Sequence, residues 1–350
     1  MVDKKYCMSS FLMYRTIADE TRCFKEEWTP NLFKLDFPRV PVYKSEDLEQ
    51  VISERMAEWT KDGKAALALS GGIDSAILAK YMPKGSKTYT FQCKVPGIEV
   101  TNEVPQAQKY AEECGLENEV IEIYWDDMEK YAPILMKHKG APIHSIEVQI
   151  YKAALKAKKD GFERLIFGES SDVNYGGMSG LMSKSWRFGD FVDRYSYVLP
   201  YKVLKDSKLV LEPYENCEEN GYVDAHEFCR TVFLKESMGS YMNACECAGI
   251  KMETPYVYTY LDTPLDFERV RAGENKYIVR AVFNSLYKDF KVPNKLPMPR
   301  ATNEWLKDWE GPKRSEFYPR CTDGMTGDQK WLVWALEKFL DLLDDDDCID

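Results

Sequence analysis

Ala65-Ala66-Leu67-Ala68-Leu69-Ser70-Gly71-Gly72-Ile73-Asp74-Ser75 is the stretch from which the rest of the chain can be read. Its apolar run ends abruptly in Ser-Gly-Gly, and a helical pattern (Ala76, Ile77, Leu78, Ala79, Tyr81) starts directly after Asp74-Ser75. The order is therefore strand, glycine turn, helix N-terminus. The free N–H groups and positive dipole end of such a helix attract anions. Adjacent glycines allow the backbone to approach a phosphate closely and admit positive φ. Ser70 and Ser75 add hydroxyl donors, and Asp74 supplies a carboxylate able to share Mg²⁺ with phosphate oxygens. No Gly-Lys-Ser/Thr follows at the spacing of a Walker A loop, so this is a phosphate loop of another kind.

Working outward, Ser45 precedes Leu48, Val51, Ile52 and Met56, with Glu49 and Glu54 in the early turns, which predicts a helix over 46–60. Further strands are predicted at 88–93, 119–123 and 164–167. Between them the pattern gives helices over 103–114, closed by Gly115, and over 147–158, closed near Gly161. Such alternation builds an α/β fold, a parallel doubly wound sheet covered on both faces. Ligands of such sheets bind beyond the carboxyl ends of the strands. From about residue 178 the alternation stops, aromatic residues become dense, and helical patterns dominate from 225 to 343. Before residue 45, the runs 12–17 and 22–25 flank Ala18-Asp19-Glu20-Thr21 and are predicted to pair as a hairpin, with Pro38 and Pro41 marking a linker. The expected organisation is an N-terminal extension over 1–44 and one domain over 45–350. That domain divides into a core over 45–177, a mainly helical region over 178–340 and an acidic tail over 341–350, where Asp344-Asp345-Asp346-Asp347 is expected to be solvated and frayed.

Composition narrows the class. With 44% hydrophobic and 30% charged residues the chain is that of a soluble globular protein, and no apolar run approaches the length needed to span a bilayer. Met1-Val2-Asp3-Lys4-Lys5 lacks the apolar core of a secretory signal, so a cytoplasmic location is expected, with no membrane partner. The net charge of −11 argues against nucleic acid as a partner. Of the ten cysteines only Cys245 and Cys247 are close, and the histidines are only His138, His144 and His226, so reduced buried thiols are expected rather than a zinc site.

The 164–167 strand runs into Gly168-Glu169-Ser170-Ser171-Asp172-Val173-Asn174-Tyr175-Gly176-Gly177. This block resembles the Gly-Glu-Gly-Ala-Asp-Glu-x-Phe-Gly-Gly motif of the asparagine synthetase and β-lactam synthetase family, and the Ser70–Ser75 loop resembles the pyrophosphate loop of the N-type ATP pyrophosphatases. A third patch, Glu274-Asn275-Lys276-Tyr277-Ile278-Val279-Arg280, is similar to the family's Lys-x-x-x-Arg helix and follows a Gly249-Ile250 to Pro255-Tyr256 segment similar to its substrate-domain turn. The resemblance extends over about residues 46–310. It implies an adenine nucleotide alpha-hydrolase-like fold, with the nucleotide held by the 45–177 core and the substrate by the 178–340 region.

It also implies a reaction. Family enzymes activate a carboxylate by attack on the α-phosphorus of ATP, expel pyrophosphate, and pass the acyl group to an amine. By resemblance Ser70, Gly71, Gly72, Asp74 and Ser75 bind pyrophosphate, where charge grows on the leaving group. Asp74 and Asp172 are the implied Mg²⁺ ligands, Gly168 and Glu169 belong to the nucleotide site, and Leu69, Phe91 and Gln92 match adenine-contact positions. Lys276 matches the catalytic lysine that meets the α-phosphate, with Arg280 one turn later as support. Taken alone, Asp172 would be a turn or cap residue and Lys276 a surface lysine; their flanks point to chemistry.

Three departures separate the chain from asparagine synthesis itself. No glutaminase domain is expected, because Met1-Val2 does not offer an N-terminal cysteine and Cys7 is internal. Val173 stands where the family block has an acid, and Ser170-Ser171 replaces Gly-Ala. Glu253 stands where asparagine synthetases carry arginine, and Tyr258 where they carry aspartate, so a different substrate is expected. The expected partners are a small-molecule carboxylate, such as a sugar acid or natural-product acid, and ammonia or another amine, free or from a separate glutaminase subunit; a homo-oligomer is compatible with the sequence. Ring closure of β-lactam type, with Tyr195, Tyr197 and Tyr201 lining a larger pocket, a non-catalytic nucleotide-binding partner and a tRNA-adenylating enzyme are the alternatives.

Overall fold

A computed structural model describes residues 1–294 and 298–347. Its central feature is a five-stranded parallel sheet. The chain enters it at β2 (Ala65–Ala68), which is buried along its whole length, as a middle strand of small and apolar residues must be. A short β1 (Val40–Val42) precedes it. The chain then moves outward through β3 (Lys87–Cys93) to β4 (Glu117–Ile123), paired in register from Lys87↔Glu117 to Cys93↔Ile123. It returns to the other side of β2 for β5 (Arg164–Ile166), where Ala65 faces Arg164 and Leu67 faces Ile166. The strand Lys251–Glu253 closes the sheet beside β5. The order β4-β3-β2-β5-(251–253) therefore reverses direction between β2 and β5. A crevice opens at such a switch point, beyond the carboxyl ends of the two strands.

Helices cover both faces. One layer holds α2 (Ser45–Thr60), α3 (Ile73–Ala79), α4 (Val104–Cys114) and the helix Tyr277–Leu286. The other holds α5 (Trp125–Lys139), α6 (Ser145–Lys159) and the helix Leu234–Ala248. α2 shows why the sequence reads clearly here: Leu48, Val51, Ile52, Met56 and Trp59 form one buried stripe at helical spacing. Trimming a fully buried member such as Ile52 to alanine costs about 2–5 kcal/mol. α4 ends at Gly115, whose φ of +66° is the left-handed C-terminal cap expected of it.

Four expectations are corrected. No hairpin forms over residues 12–25: Lys4–Tyr14 is a helix, α1, started by Asp3 Oδ1, which accepts a hydrogen bond from the Tyr6 N–H at 2.9 Å. Tyr6 through Tyr14 are buried on every side, so α1 carries no polar stripe to reveal its period. Pro41 lies inside β1, which pairs in parallel with Thr259–Leu261, rather than in a linker. The sheet is not finished at residue 178, since 251–253 rejoins it. The acidic segment is not frayed over its described length, because the helix Gly327–Asp347 runs through it and Arg314 bonds Asp341 at 3.1 Å and Asp344 at 2.7 Å; residues 348–350 lie outside the described residues. α5 was not expected from the pattern, and it carries Pro133 in its interior.

The nine described cysteines are all free thiols, and six of them are buried. Among the described residues no helix is long and apolar enough to cross a membrane, and no group of three His, Cys, Asp or Glu side chains is arranged for a metal ion.

Candidate active site

The 69–75 and 168–177 segments leave β2 and β5 side by side, at the switch point. The first is braced internally: Ser75 Oγ accepts from the Ser70 N–H at 3.0 Å and lies 2.9 Å from Ser70 Oγ, while Ser70 Oγ accepts from the Gly72 N–H at 3.2 Å. Neither Gly71 nor Gly72 adopts positive φ, contrary to one use expected of them. Their smallness serves close approach instead. A Cβ on Gly71 would lie 3.3 Å from Gln106 Cβ, and one on Gly72 would lie 3.3 Å from Ser70 Oγ.

Contact between the two segments depends on Gly168, where a Cβ would stand 2.8 Å from Ser75 N and 2.9 Å from Asp74 Cβ. Ser171 Oγ then donates to Asp74 Oδ1 at 2.7 Å. Asp172 sits in the single turn α7 (Ser171–Asn174), entered through Ser170 at φ +73°. Its neighbour Val173 is fully buried in the core, so the valine of the second motif does not line the crevice. Gly177 packs so tightly that a Cβ would meet Asp172 Oδ1 at 1.9 Å and Lys276 Cδ at 2.6 Å.

Lys276 does not lie on an exposed helix face. It is the N-cap of the helix Tyr277–Leu286, in the left-handed region at φ +56° and only 5% exposed. Its Nζ reaches Asp74 Oδ2 at 2.5 Å and Asp172 Oδ1 at 3.0 Å. Burial alone would depress the ammonium, but the Asp172 and Asp74 carboxylates outweigh it and hold its pKa above the ordinary lysine value. Arg280, one turn on, bonds Asn275 and faces the same space.

That space is an open cleft with about 1110 Å³ free of atoms, solvent at its mouth included. Of the residues singled out in the sequence, Leu69, Ser70, Gly72, Asp74, Ser75, Phe91, Gly168, Glu169, Asp172 and Lys276 line it. Gly71 and Gln92 do not; the Gly71 N–H is turned towards Glu103 Oε2, 3.4 Å away. Glu253 and Tyr258 are also elsewhere: Glu253 pairs with Lys251 at 2.5 Å, and Tyr258 packs on Phe37 beneath Arg55. Their departure from the family pattern therefore does not alter the charge of this cleft.

Several lining residues carried no signal in the sequence. Glu103 is one, its carboxyl pushed up to about 7 by burial against the pull of the Gly71 N–H. Tyr241 is another, its phenol raised by burial and by Glu169. Glu169 accepts from Ser237 Oγ at 2.9 Å, and burial raises its carboxyl against that bond and the Ser170 N–H. Val292, Pro293, Asn294, Met298 and Pro299 form a further wall. No local motif marks Glu103, Tyr241, Val292, Pro293, Asn294, Met298 or Pro299, because each reaches the cleft through tertiary packing.

Chemically, the cleft joins hydroxyl and amide donors on one loop to two carboxylates and a buried ammonium. A sequence model of the family described as Asparagine synthase matches residues 45–248, more than half of the chain. The match ends before Lys276, short of the extent expected from the motifs. No curated protein matches. Among solved structures, NMN synthetase from Francisella tularensis overlaps at 12% identity and TM-score 0.28, covering 73% of this chain and 99% of its own. The U34-tRNA thiolase NcsA from Methanococcus maripaludis overlaps at 15% and 0.28, covering 72% and 83%. The NH3-dependent NAD synthetase from Campylobacter jejuni subsp. jejuni NCTC 11168 overlaps at 12% and 0.27, covering 73% and 100%. These superpositions are too loose to carry function. Members of the matched family are ATP-dependent ligases that form amides. With that match spanning the 69–75 and 168–177 segments, the chain belongs to the asparagine synthase family.

Proposed function

We propose that the protein adenylates a carboxylic acid at the expense of ATP and transfers the acyl group to ammonia or another amine. In the first step a carboxylate oxygen attacks the α-phosphorus, and the bond to the bridging oxygen breaks, so that pyrophosphate leaves with the electron pair. In the second the amine attacks the acyl carbon, AMP leaves with the electrons of the acyl–oxygen bond, and the nitrogen gives up a proton.

The residues divide the work by chemistry. Ser70, Gly72 and Ser75 offer donors to the leaving pyrophosphate, where negative charge grows; Gly71 joins them once its N–H is released from Glu103. Leu69 and Phe91 flank the adenine, and Gly168 keeps the two loops in contact. Lys276 stabilises charge at the α-phosphate and then at the acyl-transfer centre. Asp74 and Asp172 suit Mg²⁺, since that ion favours one or two carboxylates completed by phosphate oxygens and water over an all-protein cage. When bound there, Mg²⁺ supplies neutralisation of phosphate charge.

The observation that supports this reading is the Lys276 ammonium held between Asp74 and Asp172 at the switch point of the sheet. Product analysis tests it. Incubation with ATP, Mg²⁺, ammonia and pooled sugar acids and small carboxylates should yield AMP and pyrophosphate. Acid-dependent release of ADP and phosphate instead would refute it.

A further inference from the structure

Arg39 belongs to the extension that precedes the family match over 45–248, yet its side chain is bonded into the second motif. β1 begins at the next residue and runs in parallel with Thr259–Leu261, which brings the extension alongside the 255–259 turn. The guanidinium there donates to acceptors from two segments. Nε donates to the Val257 carbonyl at 3.0 Å, and Nη2 donates to Asn174 Oδ1 at 2.9 Å and to the Thr259 carbonyl. All three acceptors are neutral. Burial and the neighbouring Arg230 press the guanidinium below the ordinary arginine pKa, with the Tyr175 and Tyr260 phenols as the opposing groups. A half-buried charge satisfied by neutral acceptors is costly to hold, and pairing of β1 does not require it.

Asn174 supplies the reason. It is the last residue of α7, two positions after Asp172, and is fully buried. Its Nδ2 donates to the Tyr256 carbonyl at 2.8 Å and the Thr259 carbonyl at 3.2 Å, so together with Arg39 both ends of the amide are engaged. The turn itself is closed by the Asn174 N–H on the Ser170 carbonyl at 3.1 Å and the Gly177 N–H on the Asp172 carbonyl at 2.7 Å. Tyr256 carries the network further, since its hydroxyl donates to the Asp74 carbonyl at 3.0 Å. One knot of hydrogen bonds thus reaches both the turn that bears Asp172 and the loop that bears Asp74. Without Arg39, Asn174 Oδ1 would be a buried acceptor stripped of its charged donor, which a native interior rarely tolerates.

We propose that Arg39 is a positioning residue, which sets the Asp172 carboxylate against Asp74 by fixing α7 through Asn174. The N-terminal extension is thereby a working part of the site. Its effect on a divalent ion rests on the reading of Asp74 and Asp172 as metal ligands; the anchoring of α7 does not.

Two variants of the full chain test it. Arg39→Met keeps the unbranched stem and removes the donors; Arg39→Lys keeps the charge and loses the fork that spans separate acceptors. The first readout is amide hydrogen exchange over 168–177. Exchange should quicken about tenfold in Arg39→Met, the scale of one lost charge-assisted hydrogen bond. The second is titration of Mn²⁺ with a non-hydrolysable ATP analogue, followed by electron paramagnetic resonance. Affinity should fall about tenfold in Arg39→Met, as for other supports of metal ligands, and Arg39→Lys should recover part of both effects. Asp3→Ala is the comparison, since it removes the cap of α1 and the partner of Arg22 elsewhere in the extension. It should lower thermal stability and leave both readouts at native values. Unchanged exchange in Arg39→Met, or an equal change in Asp3→Ala, overturns the anchoring. Faster exchange with unchanged Mn²⁺ affinity overturns the positioning of the carboxylate. If the native chain binds no Mn²⁺, that failure belongs to the metal reading, and exchange over 168–177 still decides the role of Arg39. Should the methionine variant not fold, Arg39→Lys carries the same test.

Discussion

Lys276 Nζ lies 2.5 Å from Asp74 Oδ2, although the two residues are 202 positions apart in the chain. Asp172 completes the triangle at 3.0 Å. The three side chains come from three elements: the turn after β2, the turn after β5 and the N-cap of the helix Tyr277–Leu286. A buried ammonium is costly unless paired, so the two loops and that helix must meet for any of the three to be stable where it is.

Replacing Lys276 with methionine keeps the unbranched stem of the side chain and removes the ammonium with its charge. Turnover should fall by about 10²–10³, the range for loss of one donor to a developing oxyanion. Circular dichroism should show the fold retained. A folded variant with near-normal kcat would exclude Lys276 from the chemistry.

Asp74→Ala and Asp172→Ala should each abolish turnover and leave the fold intact. Asp74→Ala also deletes the acceptor of Ser171 Oγ and one of the two carboxylates paired with the buried Lys276 ammonium, so its stability should drop by more than the about 1 kcal/mol of a single hydrogen bond. Thermal unfolding with parallel activity measurement separates the two effects. Normal turnover in either folded variant refutes the metal assignment.

Gly177→Ala is predicted to damage the site from behind. Its Cβ would lie 1.9 Å from Asp172 Oδ1 and 2.6 Å from Lys276 Cδ, so both must shift. A displacement of that order at reacting groups costs about 10² in rate. Gly63→Ala is the control: no heavy atom lies within 4 Å of its added Cβ, and although φ +71° strains the backbone, activity per folded molecule should stay normal.

What the sequence made legible, and what it hid, follows from where information is local. The Ser70–Ser75 and Gly168–Gly177 segments read correctly because strand, turn and helix start follow one another without a break, and the four core strands fell within two residues of their predicted spans. α1 was misread because Tyr6 to Tyr14 are buried all round, which removes the period that separates helix from strand. The strand Lys251–Glu253 was missed because Lys-Met-Glu offers no apolar run, whereas Leu165-Ile166-Phe167 marks the equally short β5. Lys276, which the motif singled out, does line the cleft, but its burial and left-handed backbone are products of packing. Glu103 and Tyr241 could not be found at all, since nothing near them in sequence refers to the cleft. Glu253 and Tyr258 lie outside the cleft for a related reason: a charge change in a motif does not tell which way the backbone turns the side chain.

Glu103 gives a prediction in pH. Its carboxyl, ordinarily near 4.5, is raised to about 7 by burial, so between those values the folded chain holds a proton that the unfolded chain has released. Its contribution to stability is therefore fullest below pH 4.5 and is lost as the pH rises to about 7. Glu103→Gln keeps an acceptor for the Gly71 N–H and should flatten the stability profile across that window, with a larger gain at pH 8 than at pH 5. Urea unfolding at the two values checks this; an equal effect at both would contradict it.

The central claim is acid-dependent adenylation, and exchange of labelled pyrophosphate into ATP tests it most directly. The assay contains Mg²⁺ and pools of amino acids, uronic acids and small dicarboxylates, with no amine added. The account predicts that at least one pool drives exchange, that Lys276→Met slows it by about 10²–10³, and that Asp74→Ala abolishes it. Exchange that proceeds without any acid, or that persists undiminished in both variants, would contradict the account.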